Sequence, residues 1–534
     1  MDIRFALVLF IFSVVYGGLG VHLYNLQIQK QTTYSAKAAA GNLAAALVRG
    51  NIYFSNKDGS PVPAAINKDY PTIFADPEKI AKESVDVKEL AAKLDVLFDH
   101  LTEAELISKL SKTADQYEEI AKNVPEEIVE EIKSLAVPGI YVKNEPRRFY
   151  PLGAMASHIL GFVSMDKEGK YGIESFFNEK LSGENSPVGI GENVYLTIDP
   201  TVEAQAEKVL NNLVAEFKAK SGQVIVMDPK TGDILAMAGT PSFDPNNYGK
   251  ASIADFLNKP VQSVYEPGSV FKIITIASAI DSGSITPETT YVDNGSVTIN
   301  GRTIKNWDNK SHGRLTMTEV IEKSINTGTI FMAQKMGGPV FLDYIKKFGF
   351  NNETGISLPG EVVGDTRELE NKGAPVNFAT ASYGHGISVT PLRMLTAINA
   401  IANDGIMMKP RIIKNIPEKE LSRPISTATA ETVKTIMIGA VDKARVAKIN
   451  NFSVAGKTGT ALVPKNGRYT EDVINTYVGF APASNPRFSI LLRMDEPEGA
   501  PLAGATIVPA FRELTEFLLV YYNVAPDRIS QPEY

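Results

Sequence analysis

The chain has 534 residues and no cysteine; 44% of its residues are hydrophobic, 22% are charged, and the formal net charge is −7. This length predicts two or more domains, because one hydrophobic core rarely extends over so many residues. The negative charge and the lack of a basic block argue against a nucleic-acid partner. The absence of cysteine excludes thiol chemistry, disulfides and cysteine-ligated zinc, and it agrees with an extracytoplasmic location.

The N-terminal segment is strongly apolar from Phe5 to Val21, and its uncharged stretch continues through Gln29. That is long enough to cross a bilayer as a helix. We therefore predict an uncleaved membrane anchor over residues 1–24, with a single pass and the bulk of the chain outside the cytoplasm. The alternatives are a buried core helix and a cleaved signal peptide, whose nearest small-residue cleavage candidate at 38–40 lies far downstream.

Residues 25–190 form a mixed region without a catalytic constellation. Between 77 and 136 the apolar residues recur at helical spacing, and the charges between them are expected to face solvent. His158 has no cluster of partner ligands, so we interpret it as a packing or hydrogen-bonding residue rather than a metal ligand. The recurring apolar positions are Leu90, Leu94, Leu97, Leu106, Leu110, Ile128 and Ile132.

Residues 191–534 contain strand and helix patterns in an order that predicts an α+β domain. The segment 193–199 has the pattern of a first strand and 202–217 has helical spacing, while 222–237 has the pattern of a β-hairpin. Further strand patterns lie at 475–480 and 488–494, and a final helical pattern lies around 511–522.

A Pro-Gly turn at 267–268 precedes Ser269 and an apolar run that ends at 281–283. If this run is a helix, Ser269 and Lys272 lie one turn apart on the same face. The serine oxygen would lie at the positive end of the helix dipole, and a lysine among apolar neighbours loses its proton more easily. The stretch therefore encodes a nucleophile and its base. Taken alone, each residue is better explained without catalysis, Ser269 as a helix cap, which is the commoner role of a serine at this place, and Lys272 as an exposed helix residue.

Two further motifs support the interpretation of Ser269 and Lys272 as a nucleophile and its base. Ser324-Ile325-Asn326 lies early in a second helical pattern, and Lys457-Thr458-Gly459-Thr460 lies in a strand pattern with small residues. Similar stretches elsewhere have a different context. The spacing of Ser164 and Lys167 occurs in a Gly- and charge-rich segment without a helix start, and 230–232 is a hairpin turn.

The order S-x-x-K, S-x-N, K-T-G is the signature set of penicillin-binding proteins and serine β-lactamases. The chain resembles class B penicillin-binding proteins, which are peptidoglycan D,D-transpeptidases, and most of all their division-specific members. The stretches 147–151, 158–161 and 171–174 are similar to the pedestal of that family. The resemblance implies a non-catalytic, dimerisation-type pedestal over 25–190 and a transpeptidase domain over 191–534, with an antiparallel sheet between helical layers.

The resemblance also implies four catalytic roles. Ser269 would attack the carbonyl of the penultimate D-Ala of a donor stem peptide, and Lys272 would take the serine proton. Ser324 would relay a proton to the leaving group, and Asn326 would hold the substrate amide and orient Lys272. A second stem peptide would then resolve the acyl-enzyme, whereas a β-lactam would leave Ser269 acylated.

The K-T-G segment would bind substrate. Lys457, Thr458 and Thr460 would supply positive field and hydroxyls for the donor carboxylate, and Gly459 would let the substrate backbone approach the strand. The backbone N–H groups of Ser269 and Thr460 would form the oxyanion hole. Further residues that could line the cleft, outside the catalytic set, are Tyr265, Trp307, Tyr383 and His385, and core packing explains Tyr383 equally well.

The sequence implies catalysis without a metal or cofactor. Residues 456–458 resemble the end of a P-loop, but Asn451 stands where that loop needs an earlier glycine. The sequence has no motif typical of a serine-histidine-aspartate triad or of a zinc site. The resemblance implies stem peptides as substrate, β-lactams as inhibitors, and a membrane glycosyltransferase and other division proteins as partners.

Three classes of function stay open from the sequence. A septal transpeptidase is favoured over an elongation-type relative, which typically has Asp in place of Asn326. A hydrolytic β-lactamase or D,D-carboxypeptidase is generally smaller and lacks such a pedestal. A non-enzymatic penicillin-binding division scaffold or sensor is the third. One departure from the family concerns 439–444, where a Gly-Thr-Gly stretch is usual, and it leaves the shape of a flanking loop open.

Overall fold

The computed structural model describes residues 48–98, 101–371, 373–465, 468–499 and 502–528. They divide into two compact units. We call them the small unit, with 48–51, 67–147 and 179–193, and the large unit, with 52–66, 148–178 and the described residues from 194 onward. No helix in these ranges is long and apolar enough to span a bilayer, and the anchor predicted over 1–24 lies outside them.

The helices of the small unit follow the predicted apolar spacing. Leu90, Leu94, Leu106 and Leu110 are buried in one core, and each of the first three helices begins with a side-chain cap, such as the Thr102–Glu105 capping box. The strand Glu118–Ala121, which pairs with Ile73–Ala75, was not predicted. The helices are Pro77–Lys82, Val87–Asp95, Glu103–Leu110 and Glu126–Leu135, and the longer strands that reach this unit are Pro61–Ala75 and Ile140–Phe149.

The strand predicted at 193–199 is wrong in length and in place. Only Val194–Tyr195 is a strand, and it pairs in parallel with Ile52–Tyr53 instead of joining the large sheet. The chain leaves the extended conformation because Asp199 caps the next helix, Pro200–Glu216, by accepting hydrogen bonds from two of its first backbone N–H groups. That helix itself agrees with the prediction.

The centre of the large unit is a five-stranded antiparallel sheet, in which the predicted hairpin and both predicted strands are present. The strand with the K-T-G motif lies at one edge. In sheet order the strands are Ala455–Lys465, Arg468–Ala481, Phe488–Asp495, Ser221–Met227 and Ile234–Thr240.

Helices cover both faces of this sheet. Val224 and Val226 belong to one core with the helices Pro200–Glu216 and Ala503–Tyr521. Side chains alternate between faces along a strand, and the wholly buried helix Pro391–Ala402 contacts the central strands as well. The large unit therefore has the α+β arrangement of a sheet between helical layers that the sequence implied.

The remaining elements of the large unit surround the sheet. Two antiparallel strand pairs lie within 290–316, and we call this segment the 290–316 arm. The inner pair is Ser296–Ile299 with Arg302–Lys305, and the outer pair is Thr290–Asp293 with Gly313–Thr316. The helices include Ser157–Leu160, Gly172–Phe176, Lys259–Gln262, Lys272–Asp281, Met317–Glu322, Asn326–Met336, Gly338–Lys347, Arg367–Glu370, Pro375–Ala381 and Thr427–Ala444. Short 3₁₀ segments are Pro245–Lys250, Ile253–Phe256 and Gly268–Phe271, and short strands are Ile52–Ser55, Phe162–Val163, Gly169–Lys170, Met407–Met408 and Glu420–Ser422.

Candidate active site

Ser269 lies in the 3₁₀ turn Gly268–Phe271, which leads directly into the helix Lys272–Asp281. The helix ends where the sequence predicted, and the serine stands one turn before its start. The serine is half-buried, and no side-chain cap begins either the turn or the helix. Within the described residues its hydroxyl makes no hydrogen bond. The hydroxyl is therefore not consumed by capping and is available to react.

Lys272 is fully buried, and its Nζ lies within hydrogen-bond distance of three atoms of the S-x-N segment. These are the backbone oxygen of Ser324 at 2.6 Å, Oδ1 of Asn326 at 2.7 Å and Oγ of Ser324 at 3.2 Å. Burial, with the neighbouring Lys457 ammonium as the second cause, lowers the pKa of Lys272 well below its ordinary value. A lysine with such a pKa has the property that a general base needs.

The S-x-N segment is a turn between the helices Met317–Glu322 and Asn326–Met336. Ser324 has a φ of +57°, a left-handed conformation that is uncommon for a residue other than glycine. In this conformation both oxygens of Ser324 lie near Nζ of Lys272. Such a strained residue marks a site where the surrounding structure holds the backbone in place.

Lys457 lies on the edge strand Ala455–Lys465 and is buried. Its Nζ is 3.1 Å from Oγ of Ser324, 3.1 Å from the backbone oxygen of Thr458 and 3.4 Å from the Thr458 hydroxyl. Burial lowers the pKa of Lys457 to about 8. Oγ of Ser324 thus lies within hydrogen-bond distance of the nitrogens of both lysines, and the three motifs meet at this oxygen.

The other two residues of the K-T-G segment have contacts that the sequence did not predict. A Cβ at Gly459 would be 3.0 Å from the backbone oxygen of Pro267 and 3.2 Å from Cγ1 of Val270. This glycine therefore lets the edge strand approach the nucleophile turn. Close packing is thus a second reason for a glycine at this position, besides substrate access. The hydroxyl of Thr460 donates to Oδ1 of Asn475 and accepts from the N–H of Ala503, so protein groups already occupy it.

Tyr265 and Trp307, two of the four suggested cleft residues, contact different parts of the large unit. The ring of Tyr265 is buried beneath the guanidinium of Arg493, which lies 4.3 Å from the ring centroid. Trp307 is 54% exposed, yet its indole N–H donates to the backbone oxygen of Lys323, the residue before Ser324. Trp307 is therefore a fixed and exposed aromatic group next to the S-x-N turn.

Tyr383 and His385 belong to a second cluster, which includes two residues that sequence reasoning missed. The ring of His385 contacts Tyr383 and the edge of Tyr469, and burial lowers the pKa of His385 to about 4. The hydroxyl of Tyr469 donates to the carboxylate of Glu266 at 3.1 Å. Glu266 directly precedes the Pro-Gly turn that leads to Ser269, and this position was the available signal for it.

His158 has the packing role that the sequence favoured. It is buried, its Nε2 lies 2.9 Å from the backbone oxygen of Asp255, and its ring packs edge-on against Phe243. The described ranges contain no group of three or more His, Asp or Glu residues that could hold a metal ion.

Comparison with known proteins identifies the family. Residues 222–516 match the penicillin-binding protein transpeptidase domain, which is more than half of the chain, and residues 46–215 match the penicillin-binding protein dimerisation domain. The chain therefore belongs to the penicillin-binding proteins, and the dimerisation domain ahead of the transpeptidase domain makes it a member of class B. The resemblance drawn from the three motifs is thereby confirmed.

Individual relatives are similar in sequence to this chain over most of their length. Stage V sporulation protein D of Bacillus subtilis is 31% identical over 521 residues, which cover 90% of this chain and 79% of that protein. Peptidoglycan D,D-transpeptidase FtsI of Escherichia coli K12 is 30% identical over 502 residues, which cover 89% of this chain and 84% of that protein. A crystal structure of a peptidoglycan synthetase from Bifidobacterium adolescentis has a TM-score of 0.70 and 26% identity, covering 91% of this chain and 97% of that one.

Proposed function

We propose that this protein is a septal peptidoglycan D,D-transpeptidase that cross-links stem peptides through an acyl-enzyme on Ser269 and is inhibited by β-lactams. The observation that carries the proposal is the position of Oγ of Ser324, 3.2 Å from Nζ of Lys272 and 3.1 Å from Nζ of Lys457. One hydrogen-bonded cluster thus joins residues of all three motifs, and Ser269, whose hydroxyl makes no hydrogen bond within the described residues, lies one turn before Lys272.

In the acylation step, Ser269 attacks the carbonyl carbon of the penultimate D-Ala, and its proton passes to Lys272. Neutral Lys272 can accept this proton because burial has lowered its pKa. The carbonyl oxygen gains negative charge and is held by the backbone N–H groups of Ser269 and Thr460, where one such donor is typically worth about 10²–10³ in rate. Lys457 and Thr458 hold the donor carboxylate.

The leaving D-Ala takes a proton as the C–N bond breaks. Oγ of Ser324, within hydrogen-bond distance of both lysines, passes this proton from Lys272 to the amine. Asn326 fixes Lys272 through its Oδ1 at 2.7 Å, and the Nδ2 hydrogen that does not bond the backbone oxygen of Lys305 donates to the substrate amide oxygen. The amine of a second stem peptide then attacks the ester of Ser269, which forms the cross-link and returns the serine proton.

Replacing Ser269 by alanine should abolish covalent labelling of the full chain by a fluorescent penicillin, while unfolding still occurs near the wild-type temperature. A β-lactam mimics the donor and acylates the same oxygen, so the wild type should reach one label per chain. Slow release of that label distinguishes a transpeptidase from a β-lactamase. Absence of label on folded wild-type protein would overturn the acyl-transfer mechanism and favour a non-enzymatic scaffold.

The pH dependence of acylation should be bell-shaped. The rate rises with pH as Lys272 loses its proton at a pKa well below its ordinary value, and it falls above about pH 8 as Lys457 loses the charge that holds the donor carboxylate. The second-order rate constant for penicillin, measured by stopped flow, checks both limbs. In Lys457→Arg the basic limb should move to higher pH, because arginine stays charged. A basic limb that persists unchanged in this variant would contradict the assignment.

The septal role rests on similarity to the division transpeptidase FtsI and on Asn326, where elongation-type relatives typically have Asp. The 31% identity to Stage V sporulation protein D favours a second candidate, the same reaction during sporulation. A fluorescent fusion that collects at mid-cell during vegetative division supports the first role. A fusion that appears only around the forming spore supports the second.

The proposed function includes a division of the chain into three segments. Residues 1–24 anchor the chain in the membrane, 25–190 form the pedestal, and 191–534 form the transpeptidase domain. A membrane glycosyltransferase and other division proteins are the proposed partners, because the transpeptidase domain cross-links stem peptides on glycan strands that a polymerase must supply. Co-purification of the full chain with such a polymerase from detergent extracts tests this part.

A further inference from the structure

The 290–316 arm contains a buried carboxylate, Asp293, that belongs to none of the three motifs. Asp293 is 1% exposed. Its Oδ1 accepts hydrogen bonds from the Thr327 hydroxyl at 2.7 Å and the Gly295 N–H at 2.9 Å. Its Oδ2 accepts from Nδ2 of Asn306 and the His312 N–H, both at 2.9 Å. All four partners are donors, so this carboxylate is built to be an acceptor at both oxygens.

Two of these partners lead to the S-x-N turn. Thr327 is the residue after Asn326, near the start of the helix Asn326–Met336. That helix has no side-chain cap of its own. Instead, Oδ1 of Asn306 accepts from the Thr327 N–H at 3.2 Å, and Asp293 places a negative charge at the helix N-terminus. Both contacts stabilise the start of the helix. Asn306 accepts from a backbone N–H that has no acceptor within the helix, and the charge of Asp293 interacts favourably with the positive end of the helix dipole.

The residues on either side of Asn306 hold the same turn. The backbone oxygen of Lys305 accepts from Nδ2 of Asn326 at 3.0 Å, and the Trp307 indole donates to the backbone oxygen of Lys323 at 3.2 Å. Segment 305–307 is therefore bonded to 323, 326 and 327. Because Nδ2 of Asn326 is fixed in this way, its Oδ1 faces Nζ of Lys272.

We propose that Asp293 is a positioning residue for the catalytic turn: through Thr327 and Asn306 it holds residues 323–327 around Lys272. This inference rests on the proposed function for its effect on catalysis. The turn it holds includes Ser324 in a left-handed conformation, which costs free energy and persists only where neighbours fix it. The arm thus supplies part of the rigidity that the site requires.

The charge state of Asp293 fits this role. Burial raises its pKa, but the hydrogen bonds from Thr327, Gly295, His312 and Asn306 outweigh burial and bring the pKa below its usual value. In the described part of the chain no lysine, arginine or histidine forms an ion pair with it. An asparagine at this place would have the same shape, but in either orientation its NH₂ group would face a backbone N–H donor.

Asp293→Asn should therefore lower the second-order rate constant of penicillin acylation at least about tenfold, since small displacements of catalytic groups have large effects on rate. Amide hydrogen exchange in 323–327 should become faster than in the wild type, and exchange in Thr427–Ala444 should not change. The matched control is Asp343→Asn, which alters an exposed carboxylate paired with Lys347 and should change neither quantity.

The pH profile separates positioning from a general loss of stability. A loosened turn admits water to Lys272, whose pKa then rises, so the acid limb of the profile should move to higher pH. In the part of the chain that the structure describes, the charged and titratable groups that interact electrostatically with Lys272 are Lys457 and His385, and neither is changed in the variant. A variant with the wild-type acid limb and wild-type exchange in 323–327 would overturn the proposal, even if it unfolds at a lower temperature.

If Asp293→Asn does not fold, a pair of variants at Thr327 tests whether Asp293 holds residues 323–327. Thr327→Val removes the hydroxyl that Asp293 accepts from, whereas Thr327→Ser keeps it. The valine variant should show the slower acylation and faster exchange, and the serine variant should not; equal behaviour of the two would contradict the inference. If the wild type itself takes no penicillin, the proposed function fails, while hydrogen exchange still tests whether Asp293 holds the turn.

Discussion

Replacing Lys272 by methionine should lower the rate of penicillin acylation by about 10²–10⁴-fold, the usual contribution of a positioned general base. Methionine fills a similar volume but cannot accept the Ser269 proton. The same change should leave the unfolding temperature unchanged or raise it, because a fully buried amine that is costly to charge is replaced by an apolar group. A loss of activity without a loss of stability is the mark of a catalytic group.

Stopped-flow acylation and thermal unfolding of the two proteins check this expectation. Lys346→Met is the control, since Lys346 is exposed and lies on the helix Gly338–Lys347, remote in sequence from the motifs. Acylation of Lys272→Met near the wild-type rate would show that another group takes the proton. A strong fall in unfolding temperature would indicate instead that Lys272 is needed mainly to satisfy Ser324 and Asn326.

The segments that carry the motifs were predictable because their signals are local. The Pro-Gly turn and apolar run around Ser269 give a turn and a helix, and the small residues around Lys457 give a strand. The hairpin at 221–240 follows from the turn residues between two apolar strands. In each case the residues that determine the element lie within it, so a single sequence contains the needed information.

Other features depend on residues that are distant in sequence. The strand predicted at 193–199 has a suitable apolar pattern, but the partner strand and the cap at Asp199 decide how the chain runs there. Asp293 and Asn306 lie more than twenty residues before Thr327, and no local pattern marks them as its partners. The pKa of Lys457 depends on its burial against the turn at Ser324, which only the folded chain creates.

Gly384→Ala should have the second large effect, because the backbone of Gly384 lies directly against the nucleophile turn. The N–H of Gly268 donates to the backbone oxygen of Gly384, and a Cβ at Gly384 would be 2.2 Å from the oxygen of Gly268. That contact is with backbone, so the turn before Ser269 must move. We expect acylation to fall about 10²-fold from this displacement, and the free energy of unfolding to fall by about 2–5 kcal/mol from the strain and the overlap together.

Gly386→Ala is the matched control for the backbone conformation. Both glycines lie in the same loop with similar positive φ, +81° at Gly384 and +72° at Gly386, so alanine is strained by about 1–2 kcal/mol at either place. A Cβ at Gly386, however, meets only the Thr380 hydroxyl at 3.3 Å. The difference between the two variants in acylation and in urea unfolding therefore isolates the contact with Gly268. Equal losses in both would mean that loop strain, rather than displacement of the nucleophile turn, controls the rate.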